Sequence, residues 1–178
     1  MTDRLHYTDS DEANALIATD PMALLIGFAL DQQVPVQKAF SGPLALKERL
    51  GSIDAATLAE ADLEPVFRER PAIHRFPGAM AQRVQDLAVH VRDRYDGDAA
   101  RVWTDAATPA ELRANLEALP GFGEMKVKSV AAVLAHRIGI QGVPFFVLGR
   151  RFGVSGAQPA ELLLQALERT WEELAPVE

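Results

Sequence analysis

Cysteine is missing from the entire 178-residue chain. Its absence excludes disulfides, thiol redox chemistry, a cysteine nucleophile and any cysteine-ligated zinc or iron–sulfur cluster. Long apolar runs are missing too, since none approaches the ~20 residues of a membrane span. The N-terminus, with Asp3, Asp9, Asp11 and Glu12, lacks the basic-then-apolar pattern of a signal peptide. A cytoplasmic protein with no membrane partner is therefore expected. Basic residues are in deficit, 18 Lys+Arg against 25 Asp+Glu for a net charge of −7, which argues against a surface coated for nucleic acid. Aspartate runs out at Asp105, and the chain beyond has none. His74 and His90 have no partner at a diagnostic spacing, and nothing in the pattern calls for a metal or another cofactor.

What is present is a chain with 48% apolar residues, enough for one domain of ordinary size or two small ones. Its charge is unevenly placed. Residues 1–118 hold 12 basic and 19 acidic side chains, whereas 119–178 hold 6 of each. Within 119–151, Lys126, Lys128, Arg137, Arg150 and Arg151 face one acid, Glu124. That cluster reads either as a cationic face around a binding feature or as an ordinary solvated surface.

The feature in question is Leu119-Pro120-Gly121-Phe122-Gly123, a glycine turn leading into a helix over Ser129–Arg137. Gly121 and Gly123 suit backbone angles that a Cβ resists, and they permit close approach of another backbone. Amide N–H groups left unpaired at a helix start favour an anion, with Lys126 and Lys128 adding charge nearby. An ordinary helix connection would use the same residues, because Pro-Gly pairs mark loops in general.

The chain before the turn reads as helical. Asp20-Pro21 is an N-cap with proline at the first helical position, opening a nearly all-apolar helix over Met22–Gln33. Pro35 opens a second segment through Ala39, which Ser41-Gly42-Pro43 interrupts before Leu44–Leu50. Asp54–Ala61 and Asp62–Arg68 read as short helices, and Ala79–Tyr95 keeps an amphipathic 3.6-residue spacing. Thr108-Pro109-Ala110-Glu111 is a capping box for a helix that runs into the glycine turn. Gln32 and Gln33 read as exposed loop residues or as a polar wedge able to donate to and accept from bases. After Gly139, Val143–Leu148 and Arg151–Val154 flank Gly149-Arg150, the pattern of a β-hairpin with a two-residue turn, and Pro159 starts a last helix. The fold class expected is mainly α, with a C-terminal β-hairpin and helix.

The Pro109–Val133 region resembles the helix–hairpin–helix of the HhH-GPD superfamily of base-excision DNA glycosylases, Leu119–Gly123 matching its LPGxG hairpin. Leu24–Gln33 is similar to the family's early helix, which ends in a glutamine that enters the DNA stack. Gln33-Val34-Pro35 through Phe40-Ser41-Gly42-Pro43, and His74-Arg75-Phe76-Pro77-Gly78, resemble an uncharacterised actinobacterial branch of it. The resemblance spans about 12–133. It implies a helical HhH-GPD-like domain over 1–133 that binds double-stranded DNA, damaged DNA included. The DNA-binding residues it implies are Gln32, Gln33, Gly121, Phe122, Gly123, Lys126 and Lys128. The chain departs from the family at two catalytic positions. Met125 stands where bifunctional members carry a Schiff-base lysine, with Lys126 one residue late, and the catalytic aspartate beyond the hairpin's second helix has no counterpart. Catalytic residues are thus unassigned.

Gly139–Val147 and Arg151–Pro159 resemble the C-terminal part of DsbA-like thioredoxin-fold oxidoreductases of the FrnE type. In that family the proline matching Pro144 is cis and lies beside a Cys-X-X-Cys pair, which this chain lacks. This second resemblance covers about 135–178 and implies a separate segment over 134–178, joined somewhere in 128–139. It leaves open an alternative: a thioredoxin-fold remnant, or a partner-binding module that uses the Val143–Val154 edge to engage another protein or a second copy.

Overall fold

A computed structural model describes residues 5–137, without the side chains of His136 and Arg137, and the backbone of 145–148 and 152–155. Nine helices lie among the described residues: α1 (Asp11–Thr19), α2 (Pro21–Leu30), α3 (Val36–Leu50), α4 (Ala55–Glu60), α5 (Leu63–Arg68), α6 (Pro77–Tyr95), α7 (Arg101–Thr104), α8 (Pro109–Glu117) and α9 (Glu124–Arg137). The chain divides into two compact units, Thr2–Ser129 and Val130–Glu178.

Helix α2 is the centre of the first unit because its sequence gives it no polar face. Met22 through Leu30 are all buried, and α1, α3 and α6 pack around it. Its start is fixed by Asp20, whose carboxylate accepts from the amides of Met22 and Ala23 at 2.8 and 3.0 Å. Two glycines let α3 come close. A Cβ on Gly27 would stand 2.5 Å from the Phe40 ring, and one on Gly42 would stand 2.4 Å from Leu30 Cδ1. That second contact changes the reading of Ser41-Gly42-Pro43. The pair does not interrupt the helix: α3 runs through it to Gly51, which caps it at φ 80°. Pro43 can give no N–H to the Ala39 carbonyl, and Gly42 is the point at which α3 presses on Leu30.

Helices α4, α5, α6 and α8 follow the expected boundaries closely. Asp54 caps α4 through the Thr57 amide at 2.8 Å, and the hydroxyls of Ser52 and Thr57 join that amide in holding its carboxyl down to about 2. Thr108 caps α8 through the Glu111 amide at 3.1 Å, while the Glu111 carboxylate reaches back to the Ala107 amide at 2.7 Å. Helix α1 lies in what reads from sequence as a polar lead-in. Ser10 caps it through Ala13 N–H, and Ala13, Asn14, Ile17 and Ala18 form its buried stripe. Helix α9 begins at Glu124, five residues ahead of the expected start at Ser129.

The expected fold class is corrected at its C-terminal end. The described stretch 5–137 contains helices and no strand, so the architecture is mainly α, and a β-hairpin plus helix as a further component of it is not supported. Two four-residue strands, β1 (Phe145–Leu148) and β2 (Phe152–Ser155), run antiparallel with Leu148 opposite Phe152. The two-residue turn expected at Gly149-Arg150, and Arg151 as the first residue of the returning strand, lie outside the described residues. An isolated pair of short strands is marginal in water and does not define a layer. The connecting residues, Pro144 and the helix expected from Pro159 lie outside the described residues. No single helix among the described residues is long and apolar enough to cross a membrane.

Candidate nucleic-acid interface

The C-terminal end of α2 carries Asp31, Gln32 and Gln33 out of the core and turns the chain sharply toward α3. Gln33 makes that turn at φ 53°, a left-handed conformation in which a side chain is unfavourable, and it is exposed. The glycine turn lies against this loop although almost a hundred residues separate them in sequence. Lys126 Nζ donates to the Ala29 carbonyl at 3.2 Å, satisfying one of the last carbonyls of α2. Arg83, on α6, donates through Nη1 to Gln32 Oε1, and its guanidinium lies along the turn.

Of the two turn glycines, Gly121 is the one that its geometry requires. It sits at φ 78°, and a Cβ there would meet Arg83 Nε at 2.9 Å. Gly123 has no positive φ and nothing within 4 Å of its Cβ position, so the expectation that both glycines are needed is corrected. Phe122 is 5% exposed, so its ring anchors the turn from within. Its amide donates to the Leu119 carbonyl at 3.1 Å, and the Val127 amide donates to the Gly123 carbonyl at 3.1 Å. The amides between them, from Gly123 to Lys126, make no hydrogen bond among those bridging this turn, and Gly123, Glu124 and Met125 are exposed.

The two lysines do different things. Lys126 points inward, half-buried, with its ammonium 5.8 Å from the Phe122 ring centroid. Burial pushes its pKa down to about 8, the Arg83 charge pushes the same way, and Asp31 opposes both. Lys128 is exposed and pairs with Glu124 at 2.8 Å, a surface contact of little energetic weight. Behind the glutamine loop, His74 is buried. Its Nδ1 accepts from the Phe76 amide at 3.1 Å, and Nε2 has no hydrogen-bond partner of normal geometry. Burial lowers its pKa, against the backbone of Gln32 and Leu30.

The depressed Lys126 pKa has a stability consequence with a definite sign. The unfolded chain holds this proton up to the ordinary value of 10.5, the folded chain only to about 8, so the fold gains stability as pH rises from 8 toward 10. Tyr7, held above 10.0 by burial and by Asp31, acts in the opposite direction only beyond that window. Denaturant unfolding at pH 7, 8, 9 and 10 is expected to show the rise in the native protein and its absence in Lys126→Met.

A cleft of about 300 Å³ lies elsewhere, at the N-terminal end of α2, lined in part by Asp20, Lys47, Asp54 and Asp98. Each of its three aspartates accepts hydrogen bonds from backbone amides at a helix start or turn. No group of three or more carboxylates and histidines among the described residues could hold a metal ion.

Sequence reasoning therefore names Gln32, Gln33, Gly121 and Lys126 at positions the fold brings together, and it misses Arg83. Arg83 sits on an amphipathic helix among ordinary polar residues, and only the tertiary contact distinguishes it. No family model and no curated protein matches the chain.

Proposed function

We propose that the chain is an HhH-GPD-like DNA-binding protein that grips a backbone phosphate with the 119–128 hairpin and presents Gln32 and Gln33 to the duplex. What supports this reading is the seating of the glycine turn against the glutamine loop, with Lys126 and Arg83 spanning the two. In the resembled family those two motifs act together on DNA, and here they are far apart in sequence and adjacent in space. The phosphate contacts are the exposed amides at the start of α9 and Lys128, which leaves a weak surface pair with Glu124 to meet the DNA. Lys126 acts from within, as a cation fixed to the floor of the turn. Met125, which fills the family's lysine position, is 76% exposed and has no nucleophile to offer. No aspartate follows Asp105, so the resembled family's catalytic carboxylate has no counterpart and no residue is assigned to cleavage.

Binding to a duplex carrying an abasic analogue, followed by fluorescence anisotropy over a salt series, tests the reading. A log–log slope corresponding to a few released counterions is expected. A flat salt dependence, or affinity untouched by Lys128→Ala, would sink it, and release of a free base from damaged duplexes would show that cleavage survives without the family's aspartate.

Gln33→Gly separates the probe from the fold. Glycine adopts φ 53° without strain, so the variant is expected to unfold at the same or slightly higher denaturant concentration while losing affinity for the abasic duplex. A destabilised Gln33→Gly would mean that this side chain supports the loop rather than the interface.

A further inference from the structure

Arg83 stands outside both motifs, yet its side chain reaches each of them. Nη1 donates to Gln32 Oε1, and Nε, Cδ and Cζ lie 2.9, 3.0 and 3.3 Å from the Cβ position of Gly121. Most of the other described arginines are used differently. Arg49, Arg68, Arg92, Arg101 and Arg113 each take a carboxylate, and none of the ion pairs found among the described residues involves Arg83. It lies instead near a second cation, Lys126, an arrangement that like-charge repulsion disfavours.

The contact with Gln32 has a chemical consequence. A guanidinium has donors and no acceptor, so it must hold the glutamine by its carbonyl oxygen. The amide NH₂ of Gln32, which makes no hydrogen bond found among the described residues, is then left as the donor. A glutamine free to flip would offer a donor or an acceptor; one held by Arg83 offers only the donor, and it recognises acceptor atoms at base edges or across a vacated base position.

We propose that Arg83 is a positioning residue that seats the glycine turn and fixes Gln32 as a donor-only probe, so that the phosphate grip and the base probe work as one unit. The inference rests on the DNA-binding reading and adds to it the polarity of the probe and the link between the two motifs. Lysine cannot replace the guanidinium here, because a point charge without the planar fork cannot lie along the turn and hold the amide at once.

The experiment uses the full chain as wild type, Arg83→Met, Arg83→Lys, Gln32→Ala and the double variant Arg83→Met/Gln32→Ala. Preference for a duplex with an abasic analogue over the intact duplex is expected to fall about tenfold in Arg83→Met and in Arg83→Lys. Gln32→Ala is expected to match them, and the double variant to lose no more than either single change. Two readouts need no DNA. Removing the Arg83 charge raises the titration midpoint of Lys126, followed by carbon-13 labelled dimethyl-lysine NMR among four lysines, Lys38, Lys47, Lys126 and Lys128. It also shifts the Gln32 side-chain amide resonances.

If both resonances respond but the wild type shows no salt-dependent DNA binding, the DNA reading fails and the positioning role stands. If both are unmoved in a folded Arg83→Met protein, or if the Arg83 and Gln32 losses simply add, the positioning role is overturned.

Discussion

Replacing Phe40 by alanine is expected to cost about 3–5 kcal/mol of folding stability, several times what a surface substitution costs. The ring is 1% exposed and holds three things in place. Tyr7 stacks on it with centroids 4.4 Å apart, Phe28 meets its edge at 5.0 Å, and its own edge fills the space over Gly27. Truncation leaves a void walled by α2, α3 and the segment before α1, and helices tied together at their ends cannot collapse into it. The opposite substitution tests the same packing. Gly27→Ala pushes a methyl group to 2.5 Å from a ring that Tyr7 and Phe28 prevent from moving, an overpacking expected to cost about 1–3 kcal/mol. Combined with Phe40→Leu, the added methyl group meets a smaller neighbour, and the two changes should compensate in part. Urea unfolding measures all of these. A loss below about 1.5 kcal/mol for Phe40→Ala would mean that the α2–α3 contact is looser than these distances imply. The Tyr7 phenol gives an independent signal, because losing the stacked ring exposes it and brings its raised pKa back toward 10.0.

Gly121→Ala carries the second large effect, and it acts at two levels. A residue with a side chain at φ 78° costs about 1–2 kcal/mol in backbone strain alone. The new methyl group also stands 2.9 Å from Arg83 Nε, so the guanidinium must leave its seat and with it its hold on Gln32. DNA affinity should then fall by about tenfold or more, with the preference for an abasic duplex falling alongside it. Gly123→Ala is the control for the fold: with no positive φ and open space around it, the change should stay within about 0.5 kcal/mol of wild-type stability. Equal losses for the two alanines would show that the turn tolerates no side chain anywhere, and that Arg83 has no particular part in it.

The sequence makes the helices legible where local chemistry decides them. Asp20 before Pro21 and Thr108 before Pro109 announce α2 and α8 because a carboxylate or hydroxyl beside a proline satisfies the first amides in any context. Gly42-Pro43 misleads because both its residues are punctuation locally, and the reason for the glycine is Leu30, a residue on another helix. Helix α1 hides behind an acidic start and a stripe of small residues too weak to read as a face. At the candidate interface, the turn and the glutamines are legible as residue types, since glycine and glutamine have few structural duties that look alike. The inward aim of Lys126 and the reach of Arg83 are not legible, because each depends on which helix stands opposite.

Helix α2 is enclosed on every side from Met22 to Leu30. Its amides can trade hydrogen with solvent only when the surrounding helices separate, so they should be among the slowest-exchanging in the chain and report the opening of the whole unit. The loop that follows, at Asp31 to Val34, begins one residue beyond that protected rod. The glutamines are thus mounted on a helix whose residues from Met22 to Leu30 are all buried. If the glutamines probe DNA as proposed, a probe so mounted does not recoil when pressed against a stack of bases, and the resistance is transmitted straight into the core.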